Sequence, residues 1–559
     1  MWNLGFHPRN RGEFKSREGY VKSKLLTLAS AATAGAVVAH TAVGADWPSA
    51  GADLNNSRYQ SNETRISADT VGSLQLKWTL DTNGDVTAHP TVDGNNLYFP
   101  DSAGFPYKVE KNTGRLLWKR PISDYTGIKG DVARGSPAVA GKLLILGNLS
   151  GRFIQAFGQP APQPARVFAL DKDTGNPVWT TRVDDTQLSF VTTSPVVYKD
   201  TAFVGVASNE ELIAAFVPPA NWQWQFRGSV VALDVRSGTI KWKTYTVPPG
   251  YYGGSVWGST GAVDKDSNQI FMATGNNYAV PPTVLNCLLS AAPPSSCMSP
   301  DNHFDSVIAL DIDAGAINWA ARGLPKDVWN VGCGLSAPGF VLLPGPPFFP
   351  QGIYGNCPNP DGNPAKYGPD YDFAQGPMLV GGGLVGAGQK SGMFWAFNIK
   401  TGALAWNTQV APGGITGGLQ WGSASDGNTI FVAAANSGTA LAGGGTGAMP
   451  WQLKDGSTTT SGGWAAVDRK TGAVLWTTKD PIGSRSEAPV SGANGVVFGC
   501  NLAAGGTMVA MNAKTGAILW SFNSGGPCNA GASISDGMVF WGSGTFAGTG
   551  AKKLFAFGL

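Results

Sequence analysis

The sequence predicts an all-β protein built as one eight-bladed β-propeller. A phrase that reads as strand, tight turn and strand occurs in seven complete copies, which end at Trp118, Trp179, Trp242, Trp319, Trp406, Trp476 and Trp520. An eighth copy is divided between the two ends of the chain. In addition, 77 glycines and only 14% charged residues suit a protein with many tight turns and buried sheets.

Each copy has the same internal order, as in FALDKDTGNPVW at residues 168–179. An apolar segment with a central Ala runs into Asp, Asn or Glu, then a small residue and Gly, then a strand ending in Trp. We expect the acidic or amide side chain to cap the turn and Gly to adopt a positive φ. The small Ala lets neighbouring blades approach, and the Trp fills the gap between them. A series of β-sandwiches would not explain this repeat.

The divided copy predicts how the ring closes. Residues 74–78 (LQLKW) lack the upstream half of the phrase, and residues 554–559 (LFAFGL) lack the downstream half. A circular array closes when its last strand pairs with its first, because no sheet edge is then left open. We therefore expect residues 554–559 to pair with the strand that carries Trp78. The two longest intervals between repeat tryptophans lie between Trp242 and Trp406, where functional loops are expected.

Residues 1–45 are predicted to be a cleaved export signal, and residues 46–559 the propeller. Lys22 and Lys24 precede an apolar segment too short to span a membrane stably, and Val43-Gly44-Ala45 supplies small residues for cleavage. The long, charged stretch over residues 1–20 suggests a mis-assigned start. Removing residues 1–45 lowers the formal net charge from +3 to −1, so the basic pI does not indicate a nucleic-acid partner. We expect a periplasmic or secreted protein with no transmembrane segment after cleavage.

Six cysteines in an exported chain imply disulfide bonds. Six cysteines allow about fifteen pairing schemes. Short sequence separations favour three local pairs, namely Cys287–Cys297, Cys333–Cys357 and Cys500–Cys528. No Cys-x-x-Cys-His motif occurs, so the chain is not expected to carry its own c-type haem.

The turn-plus-Trp repeat resembles that of the pyrroloquinoline quinone (PQQ) dehydrogenases, and the resemblance covers essentially all of residues 46–559. The opening segment, residues 46–78, is similar to the N-terminal signature of that family. The resemblance implies an alcohol dehydrogenase with PQQ and calcium bound in the central funnel of the propeller. It also implies which residues bind these two cofactors.

Four residues match positions that contact PQQ in the family. Arg134 in ARGSP stands where the family has an Arg that reaches a PQQ carboxylate, and a guanidinium suits this role because it binds carboxylates bidentately. An Arg in a surface ion pair is the alternative for this residue alone. Thr192 in VTTSP matches a Thr that hydrogen-bonds the quinone, and Trp257 in GGSVWGSTG matches the flat floor of the site. Lys390 in VGAGQKSG stands where the family has a Lys or Arg beside the quinone oxygens.

The same resemblance implies a calcium site. GVASNEE matches the segment that supplies a Glu ligand, which by spacing is Glu210, although Glu211 is equally suitable chemically. Two adjacent residues at a strand end point in opposite directions, so only one of them can face the funnel. Asn276 in ATGNN matches an amide ligand, and Asp372 is expected to complete the set. Calcium prefers oxygen donors of these kinds.

The general base has two candidates. Asp372 in PDYDFAQGP has aromatic neighbours and precedes Lys390 closely, so we favour it and expect it on the strand that enters that blade. Asp327 in LPKDVWN is the alternative. On the favoured interpretation, Asp327 lies in an inserted loop clipped by Cys333–Cys357. Asn330 follows in the same motif but cannot serve, since an amide does not accept the proton.

Within the family, the sequence most resembles the polyvinyl alcohol dehydrogenases. The segment before Arg134 lacks the adjacent cysteines of many members, and the GVASNEE, DVWN and DYDF motifs fit this group better than the methanol-type enzymes. The implied reaction is oxidation of a secondary or polymeric alcohol, with a soluble cytochrome c as electron acceptor. The alternative is a non-catalytic propeller that acts as an outer-membrane assembly scaffold, although such scaffolds lose the cofactor residues. Binding of a polymer through exposed aromatic residues is compatible with the enzymatic hypothesis.

Overall fold

A computed structural model describes residues 46–149, 163–336, 357, 364–437, 448–545 and 548–559. The predicted export segment, residues 1–45, lies outside the described residues. Eight antiparallel blades follow one another along the described chain, which confirms the predicted eight-bladed β-propeller. The second and third strands of each blade are largely buried, whereas the fourth strand carries exposed residues.

The strands of blades 1 to 4, in hydrogen-bonding order, are Thr91–Asp93, Asn96–Pro100, Pro106–Glu110 and Leu116–Lys119; Ala138–Ala140, Leu143–Gly147, Arg166–Asp171 and Pro177–Arg182; Val196–Tyr198, Thr201–Ser208, Ser229–Asp234 and Ile240–Tyr245; and Ala262–Asp264, Gln269–Ala273, Ser306–Asp311 and Ile317–Arg322. Those of blades 5 to 8 are Met378–Gly381, Leu384–Gly388, Met393–Asn398 and Leu404–Gln409; Ala424–Ser425, Thr429–Ala434, Gly463–Asp468 and Val474–Lys479; Ser491–Ala493, Val496–Cys500, Thr507–Asn512 and Ile518–Asn523; and Ser533–Ser535, Met538–Ser543, Lys553–Gly558 and Gln75–Asp81.

Short elements decorate the blades. Additional strands are Tyr59–Gln60, parallel to the first strand of blade 7, Ser189–Phe190 in blade 3, and the pairs Tyr252–Gly253 with Asn277–Ala279 and Trp451–Gln452 with Thr458–Thr459. The described helices are Val71–Ser73, Ser123–Thr126, Glu210–Ile213, Ala214–Phe216, Pro219–Asn221, Pro282–Leu288, Pro294–Cys297, Val331–Ser336 and Pro364–Tyr367. Within the described ranges, no helix has the length and apolar character needed to cross a membrane.

The repeat tryptophans join each blade to the next. Nε1 of Trp179, for example, donates to the backbone oxygen of Val235 at 2.9 Å. The other seven make the same bond to the following blade: Trp78, Trp118, Trp242, Trp319, Trp406, Trp476 and Trp520. The indole also lies against the next turn glycine, since a Cβ at Gly238 would meet the Trp179 ring at 2.5 Å. The repeat therefore requires Gly both for its φ of 71° and for this close approach.

The turn caps have the predicted form. In the turn after Arg166–Asp171, Oδ1 of Asp171 accepts hydrogen bonds from the amides of Asp173 and Thr174, at 3.1 and 2.8 Å. The backbone donors of the tight turn are thus satisfied within the repeat itself.

The ring closes as predicted. Lys553–Gly558 lies between Met538–Ser543 and Gln75–Asp81, with Trp78 opposite Ala556. The eighth blade is therefore built from both ends of the described chain, and no strand edge is left open at the junction. All three predicted disulfide bonds are also present, Cys287–Cys297, Cys333–Cys357 and Cys500–Cys528.

Candidate functional site

Asp372 is the residue around which the candidate site is organised. Its Oδ2 accepts hydrogen bonds from Nε1 of Trp257 at 2.8 Å and from Nζ of Lys390 at 3.1 Å. Its Oδ1 accepts from the backbone amide of Asn276 at 2.9 Å. The carboxylate is 3% exposed. Three residues predicted from separate motifs thus meet at one buried acid.

The prediction that Asp372 lies on a strand was wrong. It lies in the loop that precedes Met378–Gly381, the first strand of blade 5. Its carboxylate is held by donors from three other segments, namely Trp257, Asn276 and Lys390. Side chains of a paired strand alternate between the two faces of the sheet. A loop has no such constraint, so its side chains can point towards groups at the end of the blade.

Lys390 follows Leu384–Gly388 and is a buried cation between two acids. Its Nζ lies 2.9 Å from Asp370 Oδ1 and 3.1 Å from Asp372 Oδ2, and 5.2 Å from the centre of the Trp257 ring. Burial works against the charged ammonium, but the attraction of Asp370 and Asp372 outweighs it and raises the pKa of Lys390. The lysine is therefore protonated and places a positive charge near the indole face of Trp257.

Trp257 has a mainly apolar setting. It packs against Val132, Leu149, Phe190 and Ala207. Thr192 lies beside it, since the Thr192 hydroxyl donates to the Trp257 backbone oxygen at 3.1 Å. The indole is thus held in place by packing around it and by its own bond to Asp372.

Arg134 reaches the same region through Trp421. Its guanidinium carbon lies 3.5 Å from the centre of the Trp421 ring, and that ring lies 5.2 Å from Trp257 at an angle of 73°. Burial lowers the pKa of Arg134 to about 10, which still leaves it charged at neutral pH. Trp421 has a φ of 61°, an uncommon conformation for a large residue. Arg134 and Lys390 thus supply two positive charges close to flat aromatic surfaces.

The structure does not bring Glu210 to Asn276. Oε2 of Glu210 accepts hydrogen bonds from the amides of Gln225 and Phe226, at 3.2 and 3.0 Å. The carboxylate beside Asn276 is that of Glu211, whose Oε1 accepts from Asn276 Nδ2 at 3.1 Å. The two acids lie in the helical turn Glu210–Ile213 rather than at a strand end. In a helix, successive side chains are about 100° apart. One therefore braces a neighbouring loop and the other lies in the site.

Asp327 lies beneath the loop that carries Asp372. It is completely buried, and its Oδ2 accepts the backbone amide of Tyr371 at 3.0 Å. Its Oδ1 has no hydrogen-bond partner among the described residues. Burial, with the nearby charge of Asp372, raises the pKa of Asp327 to about 8. Through its bond to the Tyr371 amide, Asp327 supports the backbone next to Asp372.

Sequence reasoning missed three residues of this region. Asp370 binds Lys390, Asp305 is fully buried with neither carboxylate oxygen bonded within the described chain, and Trp421 joins Arg134 to Trp257. The second acid of the Asp-Tyr-Asp motif was a signal for Asp370, although its φ of 61° shows that an extended-strand argument would not have placed it. Asp305 and Trp421 lie in no recognised motif.

Carboxyl groups outnumber the single amine in the cluster. Its carboxyl groups belong to half-buried Glu211 and to buried Asp305, Asp327, Asp370 and Asp372, whereas its amine is that of buried Lys390. Burial, and then the charge of Asp372, raises the pKa of Glu211 to about 8. In the described ranges, no three acidic, His or Cys side chains are placed to hold a metal by themselves. A calcium ion would therefore need the Asn276 amide oxygen and oxygens of a bound ligand as well.

The residues present fit PQQ. A flat indole and two cations match a planar, multiply anionic quinone, and the neighbouring carboxyl groups are oxygen donors of the kind that calcium prefers. The predicted contacts Arg134, Thr192, Trp257 and Lys390 lie in this one region.

Comparison with known proteins places the chain in a family. The PQQ_2 family model, described as outer membrane protein assembly factor BamB, matches residues 63–321 and 460–557, more than half of the chain. The chain belongs to this family. It is also 27% identical over 412 residues to a polyvinylalcohol dehydrogenase of a Pseudomonas species, covering 69% of this chain and 54% of that relative.

A second curated relative and a solved structure show the same resemblance. A polyvinylalcohol dehydrogenase of Sphingopyxis sp. (strain 113P3) is 27% identical over 460 residues, covering 77% of this chain and 58% of that relative. The chain thus spans between half and two thirds of the length of these curated relatives. The crystal structure of a quinohemoprotein alcohol dehydrogenase from Comamonas testosteroni has a TM-score of 0.62 and 18% identity, covering 92% of this chain and 80% of that chain. The resemblance to quinoprotein and polyvinyl alcohol dehydrogenases is confirmed, and the solved structure supports the fold.

Proposed function

We propose that this protein is a PQQ- and calcium-dependent alcohol dehydrogenase. The observation that carries the proposal is the junction at Asp372, where a buried acid contacts the Trp257 indole, the Lys390 ammonium and the Asn276 amide. An acid held between an aromatic surface and a cation is suited to remove a proton from a bound hydroxyl. Bound PQQ would supply the two-electron acceptor of the reaction.

Each nearby residue then has a defined task. Trp257 would hold the planar cofactor against its indole face, and Arg134 and Lys390 would bind negative oxygens. Asp372 accepts the proton of the substrate hydroxyl at one carboxylate oxygen. Lys390 orients the Asp372 carboxylate, because its ammonium lies 3.1 Å from Oδ2. The apolar residues around Trp257 keep water from the reacting groups.

Calcium would be held by Glu211, Asn276 and Asp372. The Asn276 side chain now donates to Glu211 and to the Trp329 backbone oxygen, at 3.1 and 2.7 Å, so its amide already lies beside one of the other two ligands. A divalent cation here would offset the excess of buried carboxylates. We propose Glu211 in place of Glu210 because Glu210 is bound to the amides of Gln225 and Phe226.

The proposed substrate is a secondary or polymeric alcohol such as polyvinyl alcohol, as the names of the relatives suggest. Three disulfide bonds favour an oxidising compartment, so we propose a periplasmic or secreted enzyme. A soluble cytochrome c is the proposed electron acceptor. The second candidate function is a non-catalytic assembly scaffold, which the description of the matching family favours.

Reconstitution separates the two candidates. Purified protein is titrated with PQQ in the presence and absence of calcium, and binding is followed by the cofactor absorbance. Oxidation of secondary alcohols is then followed with an electron-accepting dye. The enzyme hypothesis requires saturable, calcium-dependent PQQ binding and dye reduction, both weakened in Trp257→Ala. Protein that is folded but binds no PQQ would favour the scaffold.

A further inference from the structure

An uncharged segment beside the site carries two tryptophans on an otherwise polar surface. Residues 212–226 contain no Asp, Glu, Lys or Arg. In its second half, half-buried Trp222 and Trp224 alternate with exposed Asn221, Gln223 and Gln225. We define residues 221–225 as the Trp–Gln segment. Each partly exposed ring therefore has exposed amide side chains as its neighbours along the chain.

The two rings form a fixed corner. Trp222 and Trp224 lie 5.3 Å apart between ring centres and meet at 86°. Trp224 in turn lies 6.0 Å from the buried ring of Tyr278, which anchors it to the propeller. Rings held in this way present apolar surface without losing further conformational freedom when a ligand binds.

The segment is tied to the candidate site by two routes. Glu210 accepts the amides of Gln225 and Phe226, and the next residue, Glu211, contacts Asn276. By the second route, Gly253 donates to the Phe226 backbone oxygen at 3.1 Å, and its neighbour Gly254 donates to that of Asn276 at 2.7 Å. The Trp–Gln segment is therefore one side chain away from the proposed calcium ligands.

We propose that the Trp–Gln segment is a binding subsite for neighbouring units of a neutral polyhydroxyl chain while one hydroxyl is oxidised at Asp372. This inference rests on the proposed function for the identity of the reacting group. Aromatic faces pack against the carbon–hydrogen surface of such a chain, and amide side chains exchange hydrogen bonds with its hydroxyls. The lack of charge across residues 212–226 suits a neutral ligand, because no ion has to lose its hydration.

The first test measures polymer binding without PQQ. The full-length protein is run in native gels that contain polyvinyl alcohol, and its retardation is compared with that of Trp222→Ala, Trp224→Ala and Gln223→Glu. Gln223 is exposed, so its variant keeps the fold even where loss of a tryptophan disturbs packing. The matched control is Tyr198→Ala, since Tyr198 precedes Thr201–Ser208 and lies at the end of that strand remote from Glu210.

We expect the wild type and Tyr198→Ala to be retarded equally, and the three segment variants to bind polymer at least ~10-fold more weakly, as for loss of anchoring contacts. In PQQ-loaded protein, kcat/KM should fall at least ~10-fold more for polyvinyl alcohol than for 2-propanol. Wild-type protein that is not retarded, or a Gln223→Glu variant retarded as strongly as wild type, would overturn the subsite. Polymer binding by a protein that never oxidises alcohols would instead refute the proposed function and leave the subsite in place.

Discussion

Nε1 of Trp257 donates a 2.8 Å hydrogen bond to Oδ2 of Asp372, so the floor of the proposed cofactor site and the proposed base are directly joined. The bond fixes the indole plane and one carboxylate oxygen together. Lys390 donates to the same oxygen at 3.1 Å, so the acid is oriented by two donors at once. A change at Trp257 should therefore affect both cofactor binding and the position of the proposed base.

Asp372→Asn should reduce turnover by roughly 10²–10⁴-fold, the usual contribution of a positioned base. An amide cannot take the proton. Each carboxylate oxygen accepts a hydrogen bond, from Trp257 or from the Asn276 amide, so the NH2 group would face a donor in either orientation. PQQ should still bind, which its absorbance in the variant would show. Steady-state kinetics with dye as acceptor provide the measurement.

Asp327→Asn is the matched control for that variant. The amide oxygen can still accept from Tyr371, and the NH2 group replaces an oxygen with no described partner. We expect a less than ~10-fold change in turnover. If Asp327→Asn were inactive and Asp372→Asn active, the base would lie in the DVWN segment instead.

Glu211→Gln should weaken calcium binding by at least ~10–100-fold, because even residues that only support metal ligands contribute this much. Glu210→Gln should bind calcium nearly as well as wild type, since its amide oxygen can still accept from Gln225 and Phe226. Calorimetric titration of each variant with calcium in the presence of PQQ tests the pair. The opposite order of affinities would return the ligand role to Glu210.

The stability of metal-free protein should fall as the pH rises from about 5 to about 8. Burial raises the pKa of Glu211 from 4.5 to about 8 and that of Asp327 from 3.8 to about 8. In this window the folded protein retains protons that the unfolded chain has released, so raising the pH favours unfolding. Melting temperatures measured across the range should decline by several degrees, and less so in Glu211→Gln. A flat profile for metal-free wild type would contradict the buried excess of acids.

Deleting residues 554–559 should lower the melting temperature by many degrees or prevent folding. Their strand pairs with both Gln75–Asp81 and Met538–Ser543, and Leu554 to Phe557 are buried. Phe557→Ala alone should cost about 3–5 kcal/mol of unfolding free energy. Deletion of Leu559 alone, which is 44% exposed, is the control. Equal stability of the 554–559 deletion and the wild type would refute ring closure.

The sequence by itself determined the number of blades, the ring closure and the three disulfide bonds. Each blade repeats one local pattern, so a Trp, a turn acid and a Gly can be recognised without knowledge of the whole. The contact that locks the ring, such as Trp520 Nε1 to the Leu74 backbone oxygen, then follows from the repeat, because every blade meets the next in the same way.

Only the tertiary structure decided how the site is arranged. Glu210 and Glu211 are adjacent in sequence, and the helical turn in which they lie, not their spacing, sends one to the Gln225 amide and the other to Asn276. Asp305 lies in a loop within blade 4, just before Ser306–Asp311, whereas Trp421 lies in the loop between blades 5 and 6. Loops carry no periodicity, so their convergence depends on the closed ring that positions their ends.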